Sequence, residues 1–234
     1  MSKKRKTFLI FNESDSKSPF LLRNEFHKAL AKEGIIEEIL VDDEGCIEVE
    51  EKSETAKLKK IEINELNYSD EKSKVEKIWR VNLEKEIPGI STGSKTTEVA
   101  LLVLQEFSER SYALNVILIE LKSSFKNSFL GEIKEKLRAT TNRMYMLMSL
   151  NNHANPERGY DLATINLNLK AAIFYNKNNT QADKIRGEDE REVYNILSKT
   201  TRSGSLFCST LLNYDDKIEV KFFDKPNIAL KDLL

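Results

Sequence analysis

In Ile117-Leu118-Ile119-Glu120-Leu121-Lys122-Ser123-Ser124 an acid and an amine two residues apart close an apolar run. Side chains alternate along a strand, so Glu120 and Lys122 share one face while Leu121 points to the other. A carboxylate and an ammonium held side by side on a rigid, buried support are suited to phosphodiester hydrolysis. That reaction needs a water activated near neutral pH, neutralisation of developing negative charge and in-line positioning. A hard divalent cation, Mg²⁺ with Mn²⁺ as its substitute, supplies these through oxygen ligands, so a second carboxylate has to face Glu120. Glu98 opens the preceding apolar run, and pairing of the two runs about a turn centred on Glu109 sets Glu98 opposite Glu120.

The elements that must position these groups follow from periodicity. Glu98–Phe107 and Leu114–Leu121 read as strands buried on both faces, with Ser108-Glu109-Arg110 between them. A long helix is expected from Ser128 to Leu150, with Leu130, Ile133, Leu137, Met144, Leu147 and Met148 on its inner stripe. Leu167–Tyr175 reads as a further strand, Glu188–Lys199 as a helix, and Leu206–Leu212 with Ile218–Phe223 as a closing hairpin. Upstream, the spacing of Val75, Ile78, Trp79 and Leu83 predicts a helix over 70–86 with Ser69 as its N-cap. The first third reads as a strand Thr7–Phe11, a helix from Pro19 to Lys32 stopped by Gly34, and a hairpin of Glu38–Val41 with Cys46–Val49.

With 234 residues, 40% apolar and 32% charged, the chain has ample material for a folded core, and its net charge of -1 excludes no partner class. Two distant cysteines, Cys46 and Cys208, suit a reducing compartment, and the basic start lacks an apolar stretch long enough for an export signal. The expected location is therefore the cytoplasm. No apolar run approaches the roughly 20 residues that a membrane helix requires, so no membrane association is expected. With His27 and His153 as the two histidines, a His-rich zinc site or a catalytic triad is not expected.

The order helix, strand with an acid, strand with Glu-x-Lys, helix, strand resembles the PD-(D/E)XK superfamily, the restriction-endonuclease-like nucleases, over roughly residues 70–175. Glu98 stands where Asp is usual, and Thr97 where the signature proline lies. The resemblance implies an α/β fold: a restriction-endonuclease-like core over 67–234, with a central mixed sheet flanked by helices, and a small α+β lobe over 1–66. It further implies a Mg²⁺-dependent DNA endonuclease of restriction, defence or repair. Glu98, Glu120 and the carbonyl of Leu121 would be the metal ligands, and Lys122 would orient or deprotonate the attacking water. Glu84 or Glu76 would be an outer acid on the preceding helix, and paired cuts in duplex DNA would call for a homodimer.

DNA contact is expected from basic residues near this site, chiefly Lys126, Lys134, Arg138 and Arg143, with Lys136 among the same run. Tyr160, Phe174, Tyr175 and Tyr194 are candidate stacking residues, although core packing is the commoner fate of aromatics. The acid-x-Lys spacing also occurs at Asp15/Lys17, Glu50/Lys52, Asp70/Lys72, Glu132/Lys134, Asp215/Lys217 and Glu219/Lys221, none of which closes a long apolar run. The competing reading is a strand-end ion pair in a noncatalytic nuclease-like module. Such a module would bind nucleic acid or a partner protein through the acidic surface of residues 33–86, where acids outnumber bases by about two to one.

Overall fold

The computed structural model describes residues 10–11, 19–20, 24–42, 45–51, 56–83, 85, 95–108, 111–151, 164–210 and 215–234. In chain order its elements are β1 (Ile10–Phe11), β2 (Pro19–Phe20), α1 (Asn24–Lys32), β3 (Ile36–Ile39), β4 (Ile47–Glu50), β5 (Lys60–Asn64), β6 (Lys74–Asn82), β7 (Val99–Ser108), β8 (Ser111–Phe125), α2 (Asn127–Asn151), β9 (Thr164–Asn178), α3 (Glu188–Leu197), β10 (Ser203–Cys208), β11 (Asp216–Phe223) and β12 (Asn227–Ala229).

Seven strands form one mixed sheet in the order β10-β11-β9-β8-β7-β6-β3. The apolar runs of β7 and β8 lie at its centre, where residues 99–105 and 112–121 are buried on both faces. β7 and β8 are antiparallel, as a tight connection requires, whereas β8 and β9 are parallel and need a crossover, which α2 supplies. The β9-to-β11 crossover is made by α3 and β10 in the same way. One face packs Ala100, Leu102, Leu114, Val116 and Leu118 against the inner stripe of α2 and against Val193, Ile196 and Leu197 of α3. The other face packs Val99, Leu101, Val103, Ile117 and Ile119 under a three-stranded sheet ordered β12-β5-β4. The fold is thus α/β, with a large mixed sheet covered by few helices on one side and a second sheet on the other.

Several expectations are corrected here. Residues 74–82 form a strand, not a helix. A β-bulge between Val75 and Lys77 places Val75 and Ile78 on one face of β6, after which Trp79, Val81 and Leu83 turn to the other. That one-residue slip produces an apolar spacing of three and four in a strand. Ser69, the expected cap, bridges Lys74 instead, and Asp70 beside it accepts the amides of Lys72 and Ser73, closing the bend that feeds β6. β3 and β4 do not form a hairpin, since β3 pairs with β6 and β4 with β5. The boundary at 66/67 does not divide the sheets either, because β3 belongs to the large sheet and β12, from the far end of the chain, pairs with β5. In the expected helix over 19–32, Pro19–Phe20 pairs with Ile10–Phe11 and α1 begins at Asn24; residues 7–9 lie outside the described residues. Gly34 ends α1 as expected, at φ 63°, with Ile35 N–H donating to Leu30 O and Gly34 N–H to Ala31 O.

A line of side-chain amides runs across the central strands beneath the small sheet. Asn168 donates to Asn115, Asn115 to Gln105 at 2.7 Å, and Gln105 to Ser73. Asn115 is 1% exposed and bonds on both sides, so Asn115→Ala should leave buried polar partners unmatched and lower stability by about 1–3 kcal/mol. Urea denaturation followed by the fluorescence of Trp79 measures this, and a loss well under half a kcal/mol would mean the chain adds nothing to the register.

Candidate active site

The last ladder pair at the open end of β7 and β8 is Val99 with Ile119, so Glu98 stands opposite Glu120 one step further out. Both carboxylates, together with Lys122, lie on the face that carries α2. Glu98 turns inward and accepts the backbone N–H of Leu121 at 3.1 Å, tying the acid of one strand to the strand of the other. Thr97, just before it, is fixed by α2: its N–H donates to Thr140 Oγ1 at 3.0 Å, and Thr140 donates to the carbonyl of Lys136.

Glu120 is 1% exposed. A bare carboxylate so buried is costly, and its charge is compensated at one oxygen. Oε1 receives the ammonium of Lys122 and, at 2.5 Å, that of Lys136 reaching down from α2. Oε2 is buried and meets no N–H or hydroxyl donor. Lys122 also lies 3.9 Å from Glu98 and 5.2 Å from the centre of the Phe129 ring. Burial opposes the charge on Lys122, but Glu120 and Glu98 outweigh it and hold the ammonium above its ordinary pKa. Lys122 therefore stands as a proton donor in this state and not as a base. Glu98 behaves oppositely. Burial, then the charge of Glu120 and a hydrogen bond with it, push its carboxyl up to about 9 against the pull of Lys122 and Lys136.

The remaining expected residues are dispersed. Lys126 is exposed at the start of α2. Lys134 is tied to Asp189 and Glu192 of α3 at 2.8 and 3.0 Å, and the exposed Arg138 shares its helix face. Two residues along a helix is a rotation of about 200°, so both point away from the face that Lys136 presents to Glu120. Arg143 is a correction: it is 4% exposed, and its guanidinium caps the carbonyls of Leu83 and Lys85, with Nη2 at 3.0 Å from the latter. Glu76 lies at the far end of β6, paired with Lys74, roughly 20 Å along the strand from Asn82, which sits across from Val99. Glu84, Tyr160 and His153 lie outside the described residues. Phe174 and Tyr175 are core residues, Tyr194 packs against the core, and of the methionines of α2 Met144 and Met148 are core while Met146 is exposed. Lys136 is the functional candidate that the Glu-x-Lys spacing misses. Its signal is a charged residue beside the inner stripe, one turn before Thr140, with Ile133 and Leu137 around it.

Among the described residues no three His, Cys, Asp or Glu side chains group closely enough to hold a metal by themselves. Glu98 and Glu120 are the two that could hold a hard cation, with Leu121 between them giving its amide to Glu98 and burying its side chain in the opposite layer. A groove of about 290 Å³ opens beside Glu98, lined by Glu48, Glu50, Arg80, Asn82 and Val99. No helix among the described residues is long and apolar enough to cross a membrane. The chain matches no family model, no curated protein and no solved structure at a significant level.

Because the folded state binds the Glu98 proton more tightly than the unfolded chain, native stability falls as pH rises from the ordinary carboxyl range towards 9. Glu98→Gln keeps an acceptor for Leu121 and removes that penalty. In EDTA the variant should melt above the parent at pH 8, with the gap closing near pH 5; a lower melting temperature at pH 8 would show that Glu98 is a stabilising charge. Arg143→Ala should cost about 1–3 kcal/mol by taking the donor from the carbonyls of Leu83 and Lys85, read as a lower midpoint in urea denaturation.

Proposed function

We propose that this chain is a divalent-metal-dependent deoxyribonuclease of the restriction-endonuclease-like type, acting in restriction, defence or repair. The observation that carries the proposal is the buried oxygen of Glu120 that no N–H or hydroxyl group reaches, beside a second carboxylate, on the buried central strand pair of the sheet and flanked by two ammonium groups. An unpartnered buried carboxylate oxygen is expensive, and the natural occupant beside two hard oxygen donors is Mg²⁺ or Mn²⁺, which takes one or two carboxylates and completes its shell with water and phosphate. Bound there, the cation would supply charge neutralisation at the phosphate and a lowered water pKa.

The chain's own residues do the rest. Glu98 and Glu120 would hold the cation, and Glu98 would give up its proton on doing so. Lys122, held as an ammonium, donates hydrogen bonds and so orients the attacking water rather than deprotonating it. The water oxygen bonds to phosphorus and gives up a proton to solvent, the phosphodiester P–O bond breaks, and the departing oxygen takes up a proton in return, so that one water is consumed for one phosphate monoester and one alcohol. The competing reading, a noncatalytic module that binds nucleic acid or a partner protein, is favoured by one observation. Lys122 and Lys136 already compensate Glu120 without any cation.

Incubation of supercoiled plasmid with the protein separates the two. Cutting should appear with Mg²⁺ or Mn²⁺, vanish in EDTA and fall by about a hundredfold or more in a folded Lys122→Ala variant. Intact plasmid, linear duplex and single-stranded DNA in every metal would favour the noncatalytic module.

A further inference from the structure

Lys122 and Lys136 meet the same oxygen of Glu120 but are held differently. Lys122 belongs to β8 and is boxed in by Glu120, by Glu98 at 3.9 Å and by the ring of Phe129. Lys136 arrives from the opposite layer on a four-carbon stem, and among the described residues its one ion-pair partner is Glu120. The charge count gives the two amines different uses. With both carboxylates ionised, the lysines balance them. A divalent cation on the free side of Glu120 then leaves two positive charges in excess, around side chains of Lys122 and Lys136 that are each 14% exposed. Excess charge in so sheltered a place favours an anion. A phosphodiester brings one negative charge and gains a second as the attacking water gives up a proton on bonding to phosphorus, so the excess matches the transition state better than the ground state.

We propose that Lys136 is the residue that binds the scissile phosphate, its ammonium passing from Glu120 Oε1 to a non-bridging phosphate oxygen while Lys122 stays with the two acids and the water. The proposal rests on the nuclease reading. A lysine suits the role because its compact charge and flexible stem can change partner within one pocket. Glu120 does not lose its support in the exchange, because Lys122 remains on the same oxygen.

The test uses Mn²⁺ and inorganic phosphate, with the full chain and no turnover. Mn²⁺ uptake is measured by calorimetry, and phosphate binding by the broadening that bound Mn²⁺ imposes on the phosphate ³¹P resonance. The parent chain should bind both. Lys136→Gln should keep Mn²⁺ affinity within about threefold and weaken phosphate by about tenfold or more, with Lys136→Arg restoring most of it. Lys136→Met, of similar length, replaces the Gln variant if circular dichroism shows that variant unfolded. Phosphate binding unchanged in Lys136→Gln, Mn²⁺ lost together with phosphate, or Mn²⁺ bound by the parent without phosphate would each overturn the assignment and leave the metal site standing. Absence of Mn²⁺ uptake by the parent would overturn the nuclease reading and this assignment with it.

Discussion

Since side chains alternate along a strand and β7 pairs with β8 in a fixed register, Glu98 and Glu120 are forced onto one face, and that is the face α2 covers. Two like charges in a dry layer repel, and everything nearby is arranged around that repulsion. The amide of Leu121 holds Glu98, two ammonium groups hold one oxygen of Glu120, and the proton on Glu98 lowers the charge further. The apolar remainder of β7 and β8 gives these groups little room to relax, because both faces of the strands are packed. The rigidity that makes the pair costly is what keeps it geometrically defined.

Helix α2 has a larger part in the site than a covering layer would. Lys136 and Thr140 lie one turn apart on the same stripe: the first reaches Glu120, and the second fixes the backbone of Thr97, next to Glu98. A single helix face therefore bears on both acids, though they come from different strands. Movement of α2 against the sheet would disturb both together, which couples the site to the packing of Leu130, Ile133 and Leu137 beneath it.

The strand pair was legible in the sequence because two long apolar runs around a short polar connection leave few registers, and centring the turn on Glu109 set Glu98 against Glu120. The inner stripe of α2, β9, α3 and the closing β10–β11 hairpin were legible for the same reason, each being long and strongly periodic. β6 was not, because its bulge imitates a helical spacing, and Asp70 closes a turn with the same polar chemistry that caps a helix. The sheet assignment of β3 and β4, and the return of β12 to β5, are long-range pairings with no local signature. Charged residues were the least legible. The run from Lys126 to Arg143 reads as one basic surface, yet helix rotation and docking give each member a different fate: Lys134 to α3, Arg143 into the protein and Lys136 to Glu120.

Two buried polar clusters occupy the central sheet, and their difference bears on which of them is chemical. The amides of Gln105, Asn115 and Asn168 are neutral and bonded to one another in a line, an arrangement that fixes strand register and leaves no demand for a further partner. The cluster at the other end contains four ionisable groups, an acid driven to hold its proton, a Glu120 oxygen that no N–H or hydroxyl group reaches and a Thr97 hydroxyl without a partner. Selection for stability alone would favour the first kind and remove the second, since replacing a strained charge cluster by apolar side chains is commonly neutral or stabilising. A cluster that keeps both its strain and its unmet oxygen is better explained by what it binds than by what it holds together.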